Sequence, residues 1–117
     1  MITAAMLQLV HEAGEAVLIL VDGLTESDFR RSRLTRAEAR RQLLVVARTL
    51  ASLPAAAQER LPEIDFDGWR YVGSALLEDG PGADDAAWFA AGSLLPATLG
   101  WLKVHRQETP QLFEFRV

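Results

Sequence analysis

Residues 61–80 read LPEIDFDGWRYVGSALLEDG, and this stretch decides the fold class. A turn at Leu61-Pro62-Glu63-Ile64 leads into a short helix. Asp65 or Asp67 can accept from the first free backbone N–H groups, and Asp67 also suits the positive end of the helix dipole. The pattern predicts about three turns from Gly68 to Asp79, stopped by Gly80-Pro81-Gly82. At about 100° per residue, Trp69, Val72, Gly73 and Leu76 share one face. Asp67, Tyr71, Ser74 and Glu78 share the other, with Arg70 at its edge. The first face is core. Gly73 on it lowers helix propensity, which predicts a neighbouring backbone passing close by.

Upstream, Met6, Val10, Ala13, Val17, Leu20 and Leu24 recur at helical spacing, so the chain opens with a helix from about Thr3 to Asp22, ended by Gly23. Leu7, His11, Gly14 and Leu18 form a second stripe on it, with His11 read as a surface or interface residue. Thr25-Glu26-Ser27-Asp28 resembles a capping box before a short helical turn ending near Arg31. Thr35-Arg36-Ala37-Glu38 is a second box. It predicts a helix to about Leu53, closed by Pro54, with Ala39, Leu43, Val46, Leu50 and Leu53 as its core stripe. Residues 55–60 add one more turn.

Downstream, the pattern predicts a last long helix from Ala83 to about Arg106. Trp88, Gly92, Leu95, Leu99 and Leu102 make one apolar stripe. Ala87, Ala90, Leu94, Ala97 and Trp101 make another, so this helix is expected to be buried on two sides. Pro96 falls inside it and predicts a kink. In the tail, Phe113, Phe115 and Val117 alternate with Glu114 and Arg116, as in an extended segment. The expected architecture is therefore all-α. An up-and-down bundle of four main helices with short extra turns occupies residues 1–106, and an extended tail occupies residues 107–117.

The chain has 117 residues, enough for one domain with a real core. Half of it is apolar and about a quarter charged, an ordinary globular balance. It has no cysteine, so disulfides and thiolate metal sites are excluded. Two distant histidines argue against a His-rich metal site, and no metal or cofactor is expected. The N-terminus lacks the positive region of a signal peptide, and no window reads as apolar and long enough to span a membrane. The expectation is a soluble cytoplasmic protein. A net charge of −4 argues against a general nucleic-acid binder.

Leu34-Thr35-Arg36, Leu61-Pro62-Glu63-Ile64-Asp65-Phe66, Asp84 to Trp88 and Leu95-Pro96 follow one another in an order and spacing that resembles the HepT-like branch of the HEPN superfamily (higher eukaryotes and prokaryotes nucleotide-binding domains). The resemblance covers about residues 3–105. It implies a HEPN-like bundle, homodimerisation, and a minimal nucleotidyltransferase as partner in a toxin–antitoxin-like module. It does not extend to the family's ribonuclease motif, an Arg followed after four to six residues by a His. Aligned from Pro62, the motif's positions hold Gly73, Ser74 and Glu78, and one residue later Ser74, Ala75 and Asp79. No catalytic residue carries over.

Three groups of residues are candidates for function. Arg70, Ser74 and Glu78, at i, i+4 and i+8, occupy the place of the family's active groups; they read either as a polar site or as an exposed helix face. Arg30, Arg31, Arg33, Arg36, Arg40 and Arg41 read either as an anion or RNA-backbone patch or as a face that meets the acidic half of the fold. Seven of the twelve basic residues lie between Arg30 and Arg48, whereas residues 59–85 hold eight acids and two arginines. Leu7, Gly14, Leu18, Leu94 and Trp101 are the candidate dimer interface, because a four-helix bundle has little use for so many apolar faces. The expected role is a non-catalytic binding or regulatory partner with at most weak RNA affinity. The alternatives are a divergent ribonuclease with a non-standard site and a purely structural homodimer.

Overall fold

A computed structural model describes residues 2–114. Among them all regular structure is helical: α1 Ile2–Val21, α2 Glu26–Arg31, α3 Arg33–Ala51, α4 Ala55–Glu59, α5 Phe66–Leu76, α6 Pro81–Phe89, a π-helical segment Ala90–Leu94, α7 Leu95–Glu108, and a 3₁₀ turn Pro110–Phe113. The bundle is built on α1 against α3 and α3 against α5, with α6 and α7 closing the other side. Its centre is Leu7, Val10, Val17, Leu43, Val46, Leu50, Trp69, Val72, Leu76 and Leu95, all essentially without solvent contact.

The local signals explain most boundaries. Thr25 and Asp28 form the expected reciprocal capping box of α2. Asp65 caps α5 by accepting from the Gly68 N–H at 2.8 Å. Gly80 enters α6 at φ 109°, a conformation suited to glycine, and Pro81 takes the first helical turn, where a missing N–H costs nothing. The close neighbour at Gly73 is a side chain and not the expected backbone: a Cβ there would lie 3.3 Å from the Ala47 Cβ, so α5 crosses α3 at two small residues.

Several expectations are corrected. The cap of α3 is Ser32, whose hydroxyl accepts from the Thr35 N–H, and not the box at Thr35; Glu38 is drawn instead to Arg41 and Gln42. Arg36 therefore lies a turn inside the helix. α5 ends at Leu76, so Glu78 leaves the helix it was placed on. The last helix begins at Pro81 and runs to Glu108, and its irregularity is a change of register ahead of Pro96. Leu95 N–H donates to the Ala90 carbonyl, five residues back. The π turn inserts one residue into the repeat, and the buried face moves with it: Ala83 and Ala87 before it, Ala90 and Leu94 at its two ends, and Leu95, Thr98, Leu102 and His105 after it. A straight helix would have buried Ala97 and Trp101 under Leu94; in the fold both are exposed.

The tail is not extended where it is described. The helix continues past residue 106, and the 3₁₀ turn packs Leu112 and Phe113 against the bundle. Phe115, Arg116 and Val117 lie outside the described residues. α1 also corrects the membrane reading: its mean hydropathy of 1.5 over a long window makes it long and apolar enough to cross a membrane by length and composition, and one third of that window is buried inside the protein.

Candidate functional site

Trp69 is the polar centre of the interior. It projects from the first turn of α5 and is fully buried. Its Nε1–H donates to Thr98 Oγ1 at 2.9 Å, and the Thr98 hydroxyl donates to the Leu94 carbonyl at 2.8 Å. No buried side-chain N or O among the described residues lacks a partner, so this relay is fully satisfied. The second polar lock is His105 on α7. It is buried, and its Nε2 lies 2.6 Å from Glu63 Oε1 in the turn before α5. That hydrogen bond holds the Glu63 carboxyl below its usual pKa, because the charged form is the better acceptor. The pair was not legible as a contact in the sequence, where 42 residues separate its members.

The outer face of α5 is the candidate site taken from the sequence. Arg70 is exposed and held by Asp67 one turn back. Ser74 is exposed beside Gly73 on a shallow groove that also includes Arg70 and Arg48. Glu78 lies beyond the helix end; its backbone carbonyl accepts from Arg40 Nη2 at 3.4 Å, and its side chain lines none of this groove. The fold thus brings Arg70 and Ser74 together and leaves Glu78 out. Neither histidine approaches them: His105 is held by Glu63, and His11 lines a groove between α1 and α7. A cation already neutralised by Asp67 and a lone hydroxyl supply no proton-exchanging pair near neutral pH.

The arginine-rich stretch divides. Arg30 pairs with Asp85, and Arg36 Nε lies 3.5 Å from Asp84 Oδ1, so both cross from the basic to the acidic half of the fold. Arg31 pairs with Asp28 and Arg41 with Glu38 on their own helices. Arg33, Arg36 and Arg40 line a groove of about 240 Å³ against Gly80, Ala83 and Asp84 at the start of α6. Four of these six arginines are thus held by carboxylates of the chain itself.

The dimer candidates are corrected by burial. Leu7, Gly14 and Leu94 lie in the interior and Leu18 is half-buried, so only Trp101, 42 % exposed, remains on the surface. A Cβ on Gly14 would come 3.0 Å from side-chain atoms of Leu95 and Leu99; the second stripe of α1 is there to admit α7. Sequence reasoning missed a different surface. Tyr71 (73 % exposed) and Phe89 (52 %) stand on either side of a groove of about 540 Å³ between α5 and α6, floored by Gly68, Gly82 and Ala86 and edged by Asp65 and Asp85. The signal was available in Tyr71, an aromatic residue on the face assigned to solvent. Compared with known proteins, this chain is matched by no family model, no curated protein and no solved structure.

Proposed function

We propose that this chain is a non-catalytic, HEPN-like helical module that binds a protein partner, a minimal nucleotidyltransferase in a toxin–antitoxin-like pair. The observation that carries the reading is the outer side of α5 and α6. It presents two exposed aromatic side chains over a floor of small residues, and beside it the positions of the family's ribonuclease motif hold no free cation and no histidine. Exposed aromatic residues around a shallow groove are the composition of a binding hot spot, since Tyr and Phe bury much area at little entropic cost. Asp65 and Asp85 at its edge favour a partner surface with basic residues around an apolar anchor.

The test is co-expression with a minimal nucleotidyltransferase, followed by co-purification. The wild-type protein is expected to retain it; Tyr71→Asp and Phe89→Asp, both at exposed positions, are expected to lose it without lowering the melting temperature. Purified protein is expected to leave RNA intact. Multiple-turnover cleavage that Arg70→Ala or Ser74→Ala abolishes would replace this reading with the divergent ribonuclease.

A further inference from the structure

Between α1 and α7 runs a half-enclosed groove of about 320 Å³ that no step above has used. Its floor is apolar: Leu7 and Leu102 are buried there and Leu99 is half-buried. Its walls carry His11 and Glu15 from one helix and Lys103 and Arg106 from the other. Local packing keeps this space open. Gly14 lets α7 close against α1 at Leu95 and Leu99, and at the other end the 3₁₀ turn wedges against both helices. Phe113 of that turn places its ring under the Arg106 guanidinium, 5.1 Å from ring centre to Cζ, which orients the cation.

The two cations of this groove differ from the five arginines held by carboxylates, and share with Arg33, Arg40, Arg48 and Arg60 the lack of an ion pair among the described residues. Arg30, Arg31, Arg36, Arg41 and Arg70 are each held by a carboxylate. Lys103, the only lysine of the chain, and Arg106 have no carboxylate within ion-pair distance among the described residues, although Glu15 lines the same groove. Two cations against one carboxylate leave the groove positive on a protein whose formal net charge is −4. Two uncompensated cations above an apolar floor, with an acceptor at the far end, are complementary to one kind of molecule.

We propose that the α1–α7 groove is a binding site for a small organic anion, a carboxylate or phosphomonoester on an apolar body about the size of one aromatic ring. Lys103 and Arg106 take the anionic head, Arg106 as a fork and Lys103 as a point charge. Leu7, Leu99 and Leu102 take the body. His11 stands beside the head, and Glu15 accepts from a hydroxyl or amine at the other end. The volume sets the size limit, because it sits at the lower bound of about 300 Å³ for small-molecule pockets. This site lies on other elements than the α5–α6 groove and does not depend on the partner reading.

The test is an amide chemical-shift titration of the full chain with three probes: phenyl phosphate, phenylacetate and inorganic phosphate. Saturable shifts around His11, Glu15, Lys103 and Arg106 are expected with the aryl anions. Inorganic phosphate, lacking the apolar body, is expected to bind several-fold more weakly. Tighter binding of phenyl phosphate assigns the head group as phosphate, and tighter binding of phenylacetate assigns it as carboxylate. The double variant Lys103→Gln, Arg106→Gln changes only exposed side chains and is expected to lower affinity about tenfold or more with an unchanged melting temperature. Arg33→Gln with Arg40→Gln, in the other basic groove, is expected to leave it unchanged. Absence of saturation with both aryl anions at millimolar concentration, or affinity lost in the Arg33 and Arg40 variant and kept in the Lys103 and Arg106 variant, overturns the assignment.

Discussion

The helical rod from Pro81 to Glu108 is fastened to the bundle differently at its two ends. Its first half, α6, buries Ala83, Ala86 and Ala87 and packs Trp88 on Phe29, and its polar fastenings are Arg30–Asp85 and Arg36–Asp84, pairs whose side chains remain between 28 % and 65 % exposed. Its second half, α7, is held by Thr98 under the Trp69 indole and by His105 against Glu63, contacts made by buried rings. Exposed ion pairs gain little, because water solvates the separated ions almost as well. Breaking a buried hydrogen bond leaves a group that nothing else can satisfy. The difference teaches that both halves of the rod are seated by apolar burial, and that the polar contacts of α7 are costly to break whereas those of α6 are not.

The sharpest way to break this comparison is Trp69→Ala. It removes the largest buried side chain and takes the indole donor from Thr98, whose hydroxyl keeps the Leu94 carbonyl, and is expected to cost about 3–5 kcal/mol by urea unfolding. That is a large part of the 5–15 kcal/mol typical of a domain. Thr98→Val keeps the volume and removes both the acceptor for the indole N–H and the donor to the Leu94 carbonyl; about 1–3 kcal/mol is expected. If it costs no more than Arg36→Ala, the two ends are not held differently.

Acid provides a gentler probe of the α7 end. The folded Glu63 carboxyl is held below its usual value of 4.5 by His105. A lowered folded pKa means that its contribution is complete above the unfolded value and disappears as pH falls through the folded one. Melting temperature is therefore expected to drop below about pH 4.5, and Glu63→Gln is expected to flatten that part of the profile. An identical profile in the variant would remove Glu63 from the α7 lock.

The smallest effect belongs to the α6 end. Arg36→Ala is expected to cost less than about 1 kcal/mol. The cost is expected to vanish in molar salt, where the screening length shrinks to about 3 Å. The Thr98→Val cost is expected to persist there, and that contrast separates the two ends most directly.

Much of this protein could be read directly from its residues. The core stripe of α3, the inner face of α5 and the α2 capping box depend on side-chain periodicity and on partners at most four residues away, and those are properties of the chain itself. The meeting of basic and acidic halves was also legible as a charge imbalance, though its actual pairs were not. What tertiary structure alone decided involves groups distant in sequence or a register that periodicity assumes constant. Extrapolating a 3.6-residue repeat through Pro96 places Trp101 with Leu94, because nothing local announces the residue that the π turn absorbs. Leu7 and Gly14 looked like surplus apolar surface because only the docking of α7 against α1 covers them. His105 gained Glu63, and Lys103 gained the opposite wall of a groove, through the same docking. Sequence spacing ranks neighbours along one helix, whereas the sites of this protein lie where two helices meet.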